Sequence, residues 1–147
     1  MKSTTILLVE DNPDDELLTV RALKKNNLGN DVFVVRDGVQ ALDYLFCQNE
    51  YADRDPLDLP QLILLDIKLP KLNGLEVLRA IRADQRTRHL PVVMLTSSNE
   101  DQDLIDAYAG GANSFVRKPV DFAEFSQATQ QLGLYWLVLN QTPGKQI

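Results

Sequence analysis

Residues 62–70 read Leu62-Ile63-Leu64-Leu65-Asp66-Ile67-Lys68-Leu69-Pro70. Four bulky apolar residues in succession, with no polar alternation, suit a strand buried on both faces, as in a parallel sheet covered by helices. Such a strand delivers Asp66 to its carboxyl end. The same signature recurs outward in both directions. Ile6-Leu7-Leu8-Val9 and Val32-Phe33-Val34-Val35 precede it, and Val92-Val93-Met94-Leu95 and Ser114-Phe115-Val116 follow it.

Segments of helical period lie between these runs. The first begins after Asn12-Pro13 and places Leu17, Val20 and Leu23 on one face. Asn12 suits the N-cap, Pro13 the first helical position, and Asp14, Asp15 and Glu16 the positive end of the dipole. Residues 38–46 predict a second helix through Val39, Leu42 and Leu45 or Phe46. A third, from about Asn73, turns Val77, Leu78 and Ile81 inward. The fourth carries Leu104, Ile105 and Tyr108 and stops at Gly110-Gly111. The fifth, from Asp121, spaces Phe122, Phe125, Thr129, Leu132, Trp136 and Leu139 by threes and fours. Five strand–helix alternations predict an α/β, doubly wound parallel five-stranded sheet with helices on both faces. Residues 47–60, rich in polar residues, read as a surface loop. One domain over 1–140 with a flexible tail at 141–147 is the expected organisation.

Composition narrows the function classes. The chain has 147 residues, 44% of them hydrophobic, and a net charge of -6. That acidity disfavours phosphate backbones and anionic membrane surfaces, so neither nucleic acid nor membrane is an expected partner. A single cysteine, Cys47, allows no internal disulfide and points to a reducing, cytoplasmic setting. A single histidine, His89, rules out multi-histidine zinc sites. No run approaches the roughly 20 apolar residues of a membrane span, and the apolar run after Met1–Thr5 is too short for a signal peptide.

In sheets of this kind the chemistry gathers where strands end. The first strand leaves Glu10-Asp11 there and the third Asp66. The fourth leaves Thr96-Ser97-Ser98, and the fifth Lys118-Pro119. Three carboxylates on one rim repel one another unless something positive sits among them. A hard divalent cation with oxygen ligands satisfies them, and Lys118 adds a fixed charge. An aspartate flanked by such a cation, an ammonium and a hydroxyl is set up to accept a phosphoryl group.

These residues resemble the CheY-like receiver domains of two-component response regulators, over about residues 4–139. The resemblance implies the flavodoxin-like (βα)5 fold and assigns roles. Asp11 would bind Mg²⁺ or Mn²⁺ directly and Glu10 through water. Asp66 would be the phosphoacceptor and a metal ligand, and the Lys68 backbone carbonyl would complete the metal shell. Pro70 and Gly74 match the loop after the acceptor. Thr96 matches the switch hydroxyl, Lys118 the phosphate-binding lysine, and Phe115 the aromatic switch. Self-phosphorylation and dephosphorylation would be its only catalysis, and a sensor histidine kinase its phosphodonor.

A narrower resemblance, carried by the long 47–60 loop and Leu132-Gly133-Leu134-Tyr135-Trp136, is to phytochrome-associated single-domain regulators with no output domain. It implies a phytochrome kinase as donor, and dimers through the face of the fourth helix, fifth strand and fifth helix. Residues 132–139 are apolar nearly all round, which favours a partner surface. The expected homodimer interface includes Leu132, Tyr135, Trp136 and Leu137.

Taken singly, each feature has a plainer reading. Adjacent acids are usually a solvated turn, and a lone Thr or Lys at a strand end is ordinary; the joint placement carries the argument. His89 reads as a surface loop residue, Cys47 as a packed or loop thiol, and Asp53 and Asp55 as solvated. Lys71, Arg79, Arg82, Arg86 and Arg88 read as a solvated face. Among rivals, a haloacid-dehalogenase-like phosphatase wants an acid two residues after its nucleophile, where Lys68 stands. A flavodoxin-like cofactor binder wants a phosphate loop where Glu10–Asp15 are acidic. A receiver that binds partners without phosphorylation is the remaining alternative.

Overall fold

The five apolar runs pair side by side, all in parallel. Strands β1 (Thr5–Val9), β2 (Asp31–Val35), β3 (Leu62–Asp66), β4 (Val92–Thr96) and β5 (Ser114–Arg117) stand in the order β2-β1-β3-β4-β5. The computed structural model describes residues 5–25, 31–97, 106, 108 and 110–131. From β1 the chain adds β2 on one side and β3 on the other, so the order reverses between β1 and β3. That is the crevice where ligands of doubly wound sheets bind.

Helices α1 (Pro13–Lys25), α2 (Gly38–Leu45) and α3 (Gly74–Ala83) follow the first three strands, and a last helix spans Phe122–Gln131. Successive strand residues point to opposite faces, and the core divides accordingly. Leu7, Val9, Ile63, Leu65 and Met94 pack with Ala41, Leu45, Val77, Leu78 and Ile81 of α2 and α3. Ile6, Leu8, Leu62, Leu64, Val93 and Leu95 pack with Leu23 of α1 and with Phe125 and Ala128 of the last helix. Each of the larger side chains among these, fully withdrawn from water, contributes about 1.5–3 kcal/mol. The doubly wound expectation is met.

Helix starts follow local chemistry. Asn12 Oδ1 accepts from the N–H groups of Asp14 (2.9 Å) and Asp15 (3.0 Å), the cap expected of it. Asn73 and Glu76 form a reciprocal capping box at α3. Asp37 caps α2 by accepting from the Gln40 N–H at 2.7 Å.

Several inward assignments need correction. Leu17 is 53% exposed, while Thr19 and Leu23 are buried. The inward stripe of α1 runs through 19 and 23, and Leu17, two residues before Thr19, sits roughly 200° round the helix from it. Val39 is likewise outward, because Gly38, Ala41, Tyr44 and Leu45 form the buried side of α2. The 47–60 segment is more tied down than a solvated loop. It contains a single 3-10 turn, Asn49–Tyr51. Arg54 lies 3.9 Å over the Tyr44 ring and donates to the Tyr44 and Asp58 carbonyls. Tyr44 in turn stacks on Phe33 at 4.6 Å.

Of the fourth helical segment only Asp106 and Tyr108 are among the described residues, so the expectations for Leu104 and Ile105 lie outside them. The expected interface residues Leu132, Tyr135, Trp136 and Leu137 also lie outside the described residues. Among the described residues, no helix is long and apolar enough to cross a membrane.

Candidate functional site

The strand register brings the expected residues to one rim. Val9 of β1 pairs with Leu65 of β3, so Glu10 follows alongside Asp66. Thr96 stands one residue beyond Leu95, the β4 partner of Asp66. Hydrogen bonding continues past the strand ends. The Glu10 N–H donates to the Val35 carbonyl (3.0 Å), the Ile67 N–H to Leu95 (3.2 Å) and the Lys118 N–H to Thr96 (2.9 Å). Backbone on both sides of the reacting groups is therefore fixed.

Glu10, Asp11 and Asp66 each offer a carboxylate oxygen within 4.8 Å of the others. Glu10 and Asp66 are buried, and Asp11 opens to solvent. Lys118 reaches into this group from beyond β5. Its Nζ donates to Glu10 Oε1 at 3.0 Å, Asp15 Oδ2 at 2.9 Å and Asp66 Oδ2 at 3.1 Å. The Asn12 N–H donates to Glu10 Oε2 at 3.2 Å. The exposed Lys68 sends its N–H toward Asp66 Oδ1 at 3.4 Å.

Charge and burial act against each other here. Burial first, then the charge of Asp66, raises the Glu10 carboxyl from 4.5 to about 7, against the opposing hydrogen bond from Lys118. For Lys118, burial works to lower the value. Hydrogen bonds to Asp15 and Glu10, and the charges of Asp66 and Glu10, outweigh it and hold the ammonium well above the usual lysine range. Three acids sharing one ammonium remain short of positive charge. A set of clustered carboxylates, hard oxygen donors open to water through Asp11, fits Mg²⁺ or Mn²⁺.

The loop after Asp66 is clamped by two close backbone approaches. A Cβ at Gly74 would stand 2.1 Å from the Asp66 carbonyl oxygen and 2.8 Å from the Ile67 Cα. A Cβ at Gly38 would stand 2.1 Å from the Leu72 carbonyl oxygen. Lys71 adopts a positive φ of 69°, and its ammonium lies 3.5 Å from Asp37 Oδ2. The start of α2 thereby braces the loop that follows Asp66.

Thr96 is buried at the end of β4. Phe115, half-buried on β5 beside Met94, meets the Tyr108 ring edge-on at 4.7 Å. His89, Asp53 and Asp55 are exposed, as read from the sequence. Asp15 escaped that reading. In sequence it reads only as a complement to the helix dipole, whereas in the structure this first-turn acid faces back to Lys118.

The chain matches the model of the response regulator receiver domain over residues 6–130. Among curated relatives, the probable methanogenesis regulatory protein FilR2 of Methanothrix harundinacea is 41% identical, covering 95% of this chain and 87% of that protein. Response regulator Rcp1 of Synechocystis is 36% identical, covering 90% of this chain and 88% of its own. The bacteriophytochrome response regulator AtBRR superposes with a TM-score of 0.85 at 52% identity, covering 96% of this chain and all of that one. The phosphorylated cyanobacterial phytochrome response regulator RcpA gives 0.75 at 36%, covering 92% and 94%. The Mn²⁺-bound form of Rcp1 gives 0.73 at 33%, covering 94% and 96%. With the family model spanning most of its length and the same sheet beneath its acidic rim, this chain belongs to the response regulator receiver domain family.

Proposed function

We propose that this protein is a phosphorylation-controlled switch in a two-component relay, with Asp66 as its acceptor. The observation that carries the reading is Lys118 Nζ, held 3.1 Å from Asp66 Oδ2 with both side chains buried. An ammonium so placed can follow a carboxylate that becomes an acyl phosphate. One Asp66 oxygen attacks phosphorus, the O–P bond forms, and the bond to the donor breaks with its electrons leaving on the donor. No proton need be removed from Asp66 first, since a carboxylate already carries the lone pair.

Glu10, Asp11, Asp66 and the Lys68 carbonyl would hold Mg²⁺ or Mn²⁺, which when bound neutralises the acidic cluster and the incoming phosphoryl oxygens. Lys118 holds phosphoryl oxygen from the other side, and Thr96 turns its hydroxyl toward the new charge. Phe115 repacks as Thr96 moves, and its contact with Tyr108 changes with it. Such a switch is a two-state equilibrium biased by new charge-assisted contacts.

The donor we propose is a sensor histidine kinase of the phytochrome type, supported by the likeness to AtBRR and RcpA. Output then passes through protein contacts. The apolar stretch holding Leu132, Tyr135, Trp136 and Leu137 supports a homodimer as the signalling form. Intact mass after incubation with acetyl phosphate and Mg²⁺, with a chelator control and Asp66→Ala, tests the chemistry. One phosphoryl adduct that needs the cation and disappears in Asp66→Ala is expected. An adduct that survives in Asp66→Ala overturns the acceptor assignment, and partner binding indifferent to Asp66→Ala favours the phosphorylation-independent module.

A further inference from the structure

Three carboxylates hold Lys118, and only two of them belong to the cluster that suits a cation. The third, Asp15, stands in the first turn of α1 and makes the shortest of the three contacts, 2.9 Å. Its side chain is 32% exposed, whereas Glu10 and Asp66 are almost wholly withdrawn from water. An acid in a first helical turn complements the dipole, but exposed Asp14 beside it serves that purpose equally well. The bond to Lys118 is specific to Asp15.

Building on the receiver reading above, we propose that Asp15 is a standing competitor for Lys118, a positioning residue that sets how readily Asp66 accepts and keeps a phosphoryl group. A lysine ammonium has three N–H donors, and here each faces a carboxylate. Phosphoryl oxygens on Asp66 need the same ammonium, so one existing bond must yield. Glu10 and Asp66 are the pair a divalent cation draws on. The bond left to exchange is the one to Asp15, which is also the most solvated and so opens at least cost. Once released, Asp15 remains a negative charge beside the new phosphoryl dianion. Both effects weigh against the phosphorylated state.

The test uses the full chain as wild type, Asp15→Asn and Asp14→Asn at saturating Mg²⁺. Intact mass gives the phosphorylated fraction with acetyl phosphate and its decay after the donor is removed; calorimetry gives Mg²⁺ affinity. Asp15→Asn should raise the ratio of phosphorylated to free protein and lengthen the phosphoryl half-life, each by about fivefold, as expected for one removed nearby charge. It should also weaken Mg²⁺ binding, for the same reason. A merely misfolded variant would lower all three, and Asp15→Ser repeats the measurement with a second side chain tolerated in a first turn. Asp14→Asn should match wild type. A phosphorylated ratio or phosphoryl half-life at or below wild type in Asp15→Asn, or an equal rise in Asp14→Asn, overturns the role of Asp15 alone. Wild-type protein that takes no more phosphoryl than Asp66→Ala overturns the receiver reading, and this inference with it.

Discussion

Lys118 Nζ and Asp66 Oδ2 meet at 3.1 Å across 52 residues of chain, and the contact reaches over an intervening strand, since β4 separates β3 from β5. The geometry that joins them also makes each depend on the other. Removing the ammonium leaves Glu10 and Asp66 buried without their cation.

Lys118→Met should therefore lower the stability of the metal-free protein by about 3 kcal/mol, the usual cost of breaking a buried ion pair from one side. Urea denaturation at pH 7.5 measures it. Adding Mg²⁺ should narrow the gap, because the cation replaces the lost charge. Acetyl phosphate labelling should fall by about a hundredfold, as when one preorganised charge donor is removed from a reacting oxygen.

Glu10 sets the pH response. Its carboxyl is raised from 4.5 to about 7, so the folded protein favours its neutral form. The stability this group contributes is complete below pH 4.5 and is lost as pH rises through 7. A divalent cation needs the ionised form instead, so binding below pH 7 must displace that proton. Apparent Mg²⁺ affinity should rise by up to about tenfold per unit towards pH 7 and level off above it. Calorimetric titrations from pH 5.5 to 8.5 in two buffers, which also count released protons, check this. A flat profile rules Glu10 out as the controlling group.

Gly74→Ala should disturb the acceptor more than an ordinary helix substitution. The new Cβ would meet the Asp66 carbonyl at 2.1 Å, and no side-chain rotation relieves a clash with backbone. A loss of about 2–3 kcal/mol is expected from overpacking. Labelling of Asp66 should fall at least about tenfold, as small displacements of reacting groups are costly.

Arg82 ties the end of α3 to the segments before β4 and β5. It donates to the carbonyls of Gly111 (2.9 Å), Arg88 (3.0 Å) and Leu90 (2.7 Å), and to Asn113 Oδ1 (2.8 Å). A lysine cannot reproduce that planar fork, so Arg82→Lys should cost about 2 kcal/mol in urea melts. The exposed Arg79, substituted in the same way, should change stability by less than about 0.5 kcal/mol.

The strands were legible because each leaves a short apolar run, Asp66 because it ends such a run, and Lys118 because it directly follows the last described strand. Other features had a sufficient local reason that concealed a distant one. Asp15 satisfied the helix dipole, so nothing nearby in sequence hinted at Lys118. Arg82 looked like one of several solvated arginines, since its acceptors lie up to 31 residues away. Leu17 and Val39 were misplaced because a short helix with leucines on several sides admits more than one inward stripe. Residues 47–60 looked loose because polarity was visible, while the reach of Arg54 over Tyr44 was not.

The arrangement of the rim also bears on how the chain comes together. Glu10 and Asp11 directly follow β1 and Asp66 ends β3, strands that pair directly, while Lys118 follows β5. A sheet lacking only β5 would thus hold these negative charges together without their counterion. Closure of that rim requires β5 in place, and without it a dissolved divalent cation would act as a stand-in for the missing lysine.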